Sequence, residues 1–185
     1  MAHNGTPRLE TARLVLRRYT VEDARDMYEN WASDDRVTRY LTWPTHPSPE
    51  VTRRVIGDWV ARYAEPDYYH WAIELKETGR VVGDIAVVRA DPSINEAELG
   101  WCLSRALWGR GIMPEAGQAV VAFLFGEAGF NRVCARHDVK NPKSGRVMEK
   151  LGMRREGVLH QAGRNNGGIC DMAVYAILAE EVRHA

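Results

Sequence analysis

One junction limits what this chain can fold into more than any other. An alternating stretch, Glu98 to Leu103, leads into Gly109-Arg110-Gly111, and a helical pattern follows at once. The apolar residues Ala116, Ala119, Val120, Phe123 and Leu124 recur at i, i+3, i+4, i+7 and i+8, the spacing of a helix with one broad buried face. Glycines at such a junction let the backbone approach a ligand closely, and unpaired N–H groups at the helix start favour an anion. A diphosphate is the natural occupant, with a plain tight turn as the competing reading. The segment is not the dinucleotide fingerprint, because Pro114 stands where the third glycine belongs. It is not a P-loop either, since no Gly-Lys-Ser/Thr follows.

The remaining elements fall on both sides of this junction. Arg13 to Arg18 reads as a strand, and Thr20 with Asp23 caps a helix carrying Ala24, Met27, Tyr28 and Trp31 on one face. Tyr40 to Pro49 reads as a loop, after which Ser48-Pro49 opens a helix through Val55, Ile56, Trp59 and Tyr63. His70 to Leu75 and Arg80 to Arg89 are strands joined at Glu77-Thr78-Gly79-Arg80. Beyond the central helix come a strand at Arg132 to His137 and a short helix from Asn141 to Gly152. Two last strands, Arg154 to Ala162 and Ile169 to Ile177, flank Asn165-Asn166-Gly167-Gly168. The order β-α-α-β-β-β-α-β-α-β-β predicts an α/β fold with a mixed, mostly antiparallel sheet of about seven strands and helices on both faces. One domain over residues 8–183 follows, with residues 1–7 as a flexible N-terminal segment.

Composition excludes several classes. The 185 residues carry 25 basic and 25 acidic side chains, for a formal net charge of zero. Broad nucleic-acid binding needs clustered cationic charge and is not expected. The longest apolar run, Ala119 to Phe125, is too short to span a bilayer, and no signal-peptide core precedes it. Cys102, Cys134 and Cys170 form no C-x-x-C pair, and the six histidines show no metal-ligand spacing. Packed, reduced thiols, a cytoplasmic location and no metal are the expectations.

A second chemistry-bearing segment is Asn141-Pro-Lys-Ser144-Gly-Arg-Val-Met148-Glu-Lys-Leu-Gly152. On its own Asn141 reads as a helix cap and Ser144 as an ordinary first-turn residue. Together with Glu98-Leu-Gly-Trp-Cys-Leu, Trp108-Gly-Arg-Gly and the opening Leu9-Glu-Thr-Ala-Arg-Leu-Val-Leu-Arg-Arg18, it resembles the GCN5-related N-acetyltransferase (GNAT) superfamily. The likeness is to the bacterial ribosomal-protein N-terminal acetyltransferase subgroup and extends over nearly the whole chain.

The resemblance implies acetyl-CoA as co-substrate and an amine as acceptor. It implies a sheet that splays beside the Glu98–Ser104 strand, freeing backbone groups of Cys102, Leu103 and Ser104 for the pantetheine arm. The diphosphate would then sit on N–H groups of Gly109, Arg110, Gly111, Ile112 and Met113, with Asn141 and Ser144 facing the thioester. Two positions depart from the family pattern. Ala106 stands where Gln or Arg is usual, which leaves Arg105 and Arg110 to supply charge. Met148 stands where a proton-donating tyrosine is usual, which makes Ser144 the candidate donor to the leaving thiolate. Glu98 is the first candidate base, ahead of His70 and Asp84 on neighbouring strands, with a cross-strand ion pair or a solvent-facing position as its competing reading. Tyr40 and Trp43 are the expected acceptor-side wall, with packing over the core as the competing reading. Three readings stay open: acetylation of a protein N-terminus, acetylation of a small amine, and a non-catalytic acyl-CoA-binding module. The resemblance also leaves room for a homodimer.

Overall fold

Turn chemistry lays down the centre of the sheet. Gly79, at φ +65°, closes the turn between β3 (His70–Leu75) and β4 (Val81–Asp91) in a conformation that L side chains rarely adopt. β5 (Glu96–Leu103) returns antiparallel beside β4, with Asp84 opposite Cys102 and Ile85 opposite Trp101. These residues belong to a computed structural model that describes residues 5–183. The chain continues through α4 (Ile112–Gly126), β6 (Arg132–Asp138), α5 (Pro142–Lys150), β7 (Arg154–Asn165), β8 (Gly168–Leu178) and α6 (Ala179–Arg183). Ahead of β3 lie β1 (Leu9–Glu10), β2 (Leu14–Arg17), α1 (Ala24–Met27), α2 (Asp35–Thr38) and α3 (Pro49–Arg62). The strands form one sheet in the order β1-β2-β3-β4-β5-β6-β8-β7, and β5 with β6 is its parallel pair.

The sheet has eight strands rather than about seven, because the two-residue β1 folds back on β2. The helix expected after Thr20 is three joined pieces: a 3-10 turn, α1, and a π turn over Tyr28–Ala32. Ser33 donates both its N–H, at 3.3 Å, and its hydroxyl, at 2.7 Å, to the carbonyl of Tyr28 five residues back, which widens that turn. Asn165 and Gly168 pair across the last hairpin, so its two-residue loop is Asn166-Gly167, within the turn read from the sequence. Gly5, Thr6 and Pro7, expected within a flexible segment, are tied down. Gly5 N–H donates to Pro66 O at 2.7 Å, Thr6 Oγ1 to Tyr68 O at 2.8 Å, and Trp71 Nε1 to Pro7 O at 2.7 Å. The first four residues of that segment lie outside the described residues.

Two cores follow from strand alternation. Leu99 and Leu103 of β5 are buried with Ala116, Val120 and Leu124 of α4 and Met148 and Leu151 of α5, and Trp101 packs against them. Cys102, on the opposite face, joins Met27, Trp31 and Ile56 of the helices before β3. Among the described residues no helix is long and apolar enough to cross a membrane.

Candidate active site

The parallel pairing of β5 with β6 is short. It runs from Glu96 opposite Arg132 to Leu99 opposite Ala135 and then stops. β5 goes on to Leu103 against β4, and β6 goes on to Asp138 against β8. The two strands therefore part company at Leu99 and Ala135, and the sheet splays open there. Ser104 N–H donates to Val82 O at 2.8 Å. By the alternation of an antiparallel ladder, Cys102 also turns its backbone towards β4, while Trp101 and Leu103 turn theirs to the open edge. This corrects the sequence expectation: of Cys102, Leu103 and Ser104, Leu103 alone faces the opening, and Trp101 joins it. The Leu103 carbonyl is already used, accepting from Trp108 Nε1 at 2.9 Å.

That bond folds the next loop back onto the strand end. Gly109 and Gly111 both take positive φ, +78° and +76°, and Gly111 caps α4. The N–H groups of Ile112 and Met113 lie in the first turn, where a helix has no acceptor for them, and Gly109 and Gly111 N–H find none among the described residues. Arg13 fixes the loop from outside, donating from Nη1 to Arg110 O at 3.0 Å and from Nε to Glu115 Oε2 at 2.7 Å. That pairing offsets the acidic Glu115 in the first turn of α4. Arg105, expected to face phosphate, instead pairs with Asp34 at 2.9 Å, and this contact holds the Asp34 carboxyl down at about 2. Arg110 makes no ion pair among the described residues.

The second segment meets the first. Lys143 at the start of α5 lies 4.3 Å over the Trp108 ring, a cation–π contact that joins the glycine loop to α5. Asn141 occupies the cap position of α5, yet its side chain makes no capping hydrogen bond, contrary to the reading of Asn141 as a cap. Ser144 likewise has no side-chain hydrogen bond among the described residues, and both are half-buried. Met148 is 1% exposed and sits in the core with Leu151, so it has neither a proton nor access. Gly145 is a packing requirement: a Cβ there would lie 2.8 Å from His137 Nε2. That nitrogen is buried and has no hydrogen-bond partner.

Glu98 sits one residue before the splay, on the face opposite α4 and α5. Arg89 Nε donates to its Oε2 at 3.0 Å. Arg136 Nε lies 3.5 Å from its Oε1, an ion-pair distance without hydrogen-bond geometry. The network continues through Glu96, which accepts from Arg89 at 3.1 Å and Arg132 at 2.6 Å, to Glu156 on β7. Glu98 is thus held between two guanidiniums, firmly at Oε2 and more loosely at Oε1. The sequence reading missed Arg89 and Arg136. A charged residue following the apolar run Val133-Cys134-Ala135 was the available signal for Arg136.

His70 and Asp84 are brought together, with Nε2 and Oδ2 3.2 Å apart, but under the helices rather than at the splay. Tyr19 donates to Asp84 at 3.1 Å, Tyr68 Oη is 3.0 Å from His70 Nδ1, and Trp59 packs on the imidazole at 4.4 Å. Burial, then the nearby Asp84 charge, pushes the Cys102 thiol well above its usual range, as burial pushes Cys134 to about 12. Neither is a nucleophile. Tyr40 and Trp43 are tied by a clasp to the β6–α5 loop and the β7–β8 turn. Tyr40 Oη donates to Lys140 O at 3.0 Å, and Asn166 of the β7–β8 turn donates to the carbonyls of Thr38 at 2.8 Å and Trp43 at 2.7 Å.

A splayed parallel pair followed by a glycine loop and helix is matched in known proteins. Residues 13–154 match the acetyltransferase (GNAT) domain. This chain belongs to that family. It is an N-acetyltransferase by relationship as well as by shape. It is similar to the N-acetyltransferase YoaA of Bacillus subtilis (strain 168), with 33% identity over 93% of this chain and 97% of the relative. It is also similar to the ribosomal-protein-serine acetyltransferase of Escherichia coli (strain K12), with 30% identity over 74% of this chain and 75% of the other. The crystal structure of a GNAT-family acetyltransferase from Bacillus anthracis superposes with a TM-score of 0.83. That pair shares 27% identity over 94% of this chain and 99% of the other.

Proposed function

We propose that this acetyltransferase moves the acetyl group of acetyl-CoA directly onto an α-amine, with the N-terminus of a protein as the favoured acceptor. The observation that carries the reading is the meeting of Trp108 and Lys143, which brings the glycine loop and the start of α5 to one end of the splay. Trp101 and Leu103 present backbone groups on which pantetheine amides pair as a substitute strand. Gly109, Gly111, Ile112 and Met113 offer N–H groups to the diphosphate; the Arg110 N–H, expected among them, is donated instead to Leu107 O at 3.3 Å, which leaves the Arg110 side chain and Lys143 as the adjacent cations. The relationship to a ribosomal-protein acetyltransferase supports a protein acceptor, and a cytoplasmic location goes with that reading.

Chemistry favours the same acceptor. An α-amine titrates near 7.7–8.0 and a lysine amine near 10.4, so at neutral pH roughly a tenth of an α-amine is already the nucleophile. Its lone pair attacks the thioester carbonyl and forms the C–N bond. The intermediate then expels the CoA sulfur, the amine nitrogen gives up one proton, and the thiolate takes one. Glu98 Oε1, the more loosely held oxygen, is the acceptor of the amine proton, directly or through water. Ser144 Oγ, near the start of α5 where the helix dipole favours negative charge, donates towards sulfur.

Glu98→Gln tests this directly. Turnover should fall about 10²–10⁴-fold, the range for loss of a general base, while CoA binding is kept. A change below about threefold, well under that range, would leave Glu98 as an ion-pair strut only. An acceptor screen of peptides beside small amines and polyamines, read by release of free CoA thiol, identifies the acceptor class.

A further inference from the structure

We propose that Arg136 is the acceptor-recognition residue of this enzyme, docking the carbonyl oxygen adjacent to the amine that is acetylated. The inference rests on the α-amine reading above and extends it to a side chain that reading does not use. Arg136 is the first residue of β6 beyond its last rung with β5, so it stands on the far arm of the splay where the two strands separate. Cys134, paired with Glu98, and Arg136, two residues on, share one face of the sheet. Arg136 therefore faces Glu98 across the opening, with Arg89 and Glu98 on the near arm.

What sets Arg136 apart is its lack of partners. Arg89 and Arg132, its neighbours in the network, each donate to two carboxylates. Arg136 makes no side-chain hydrogen bond among the described residues, and its Nε is buried without an acceptor. Its side chain is 33% exposed, and its one contact with charge is the 3.5 Å approach to Glu98. A guanidinium has five donors in a rigid fork, and a buried donor without a partner is destabilising by an amount a folded protein rarely carries without cause. Because a third of the side chain is exposed, the fork can turn to meet a carbonyl or carboxylate oxygen supplied by the acceptor.

A carbonyl oxygen drawn to Arg136 would compete with its 3.5 Å approach to Glu98 Oε1 and so would leave that oxygen to the amine. Such a site suits an amine with an oxygen acceptor three bonds away, as at a peptide N-terminus or in an α-amino amide. A polyamine, which has cations and no such oxygen, meets an unsatisfied guanidinium and is disfavoured.

The test compares alaninamide with isopropylamine, the same amine with the carboxamide replaced by methyl. Both are assayed at saturating acetyl-CoA with wild type, Arg136→Gln and Arg136→Lys. Taking ratios across variants cancels the different basicities of the two amines. For Arg136→Gln, kcat/KM on alaninamide should fall about tenfold to a hundredfold, the range for a hydrogen bond to a charged group, mainly through KM. The fall on isopropylamine should be far smaller. Arg136→Lys, which keeps the charge and loses the fork, should lie between and serves as the deciding variant if Arg136→Gln does not fold. Equal losses on both acceptors would overturn the assignment and make Arg136 a scaffold residue. Wild-type protein that binds acetyl-CoA yet turns over neither amine would overturn the α-amine reading, and Arg136's role with it.

Discussion

Gly111→Asp separates a ligand-binding loop from a mere turn. Gly111 sits at φ +76°, and the position of its missing Cβ is 3.5 Å from Arg13 Nη2 and otherwise open. The side chain therefore fits, at a backbone cost of about 1–2 kcal/mol for an L residue in the left-handed region, less for aspartate. The electrostatic effect on a diphosphate is larger. At a separation of ~5 Å, each like charge costs about 1 kcal/mol in bulk water and about 3 kcal/mol at an effective dielectric of 20. Against two phosphate charges this is ~2–6 kcal/mol, or a weakening of about 30-fold to more than 10⁴-fold in CoA affinity. Gly79→Asp is the control. It takes the same backbone strain at φ +65°, also with open space, but lies in the β3–β4 turn. Calorimetric titration with CoA at low and high salt, beside melting curves, should show Gly111→Asp losing affinity, less so in high salt, and Gly79→Asp keeping it. A folded Gly111→Asp protein with wild-type affinity would refute the placement of the diphosphate.

Asn141 and Ser144 should behave alike in stability and differently in catalysis. Because Asn141 makes no capping bond, Asn141→Ala should shift the melting temperature far less than a lost cap, which costs about 0.5–2 kcal/mol. Ser144→Ala should lower turnover at saturating acetyl-CoA with the melting curve unchanged. Wild-type turnover would assign the thiolate to water or to the helix terminus. Asp34, held at about 2 by Arg105, has a folded pKa below its ordinary value of 3.8, so its stabilisation is complete above that value and is lost as pH falls towards 2. The stability difference between wild type and Asp34→Asn should therefore shrink between about pH 4 and pH 2, read by chemical denaturation at each pH. A difference that stays constant across that window would sever the Asp34–Arg105 link.

The strands and the two longest helices were legible because each follows from local chemistry: alternation, glycine turns, and the apolar stripe of α4. The resemblance carried the rest of the topology, including the splay. The details that escaped are those set by partners distant in sequence. The Ser104 N–H is bound to Val82 O, and Arg105 is bound to Asp34 rather than turned to a ligand. Asn141 reads as a cap by residue type, but its side chain does not cap. Arg136 stands between Ala135 and His137 on β6, and its importance depends on where β5 stops pairing, which no local pattern records.

The short ladder between β5 and β6 divides the molecule along a seam. On one side stand β1 to β5, and on the other β6 to β8. Along the sheet itself they are joined by four residue pairs, and at the far rim by the clasp of Asn166 on Thr38 and Trp43. A pantetheine arm paired with Trp101 and Leu103 would act as the missing stitch. Amide hydrogens of β6 should then exchange faster than those of β4 in the free protein and slow selectively when CoA binds. The donor would be, for the length of each turnover, part of the fabric of the enzyme that consumes it.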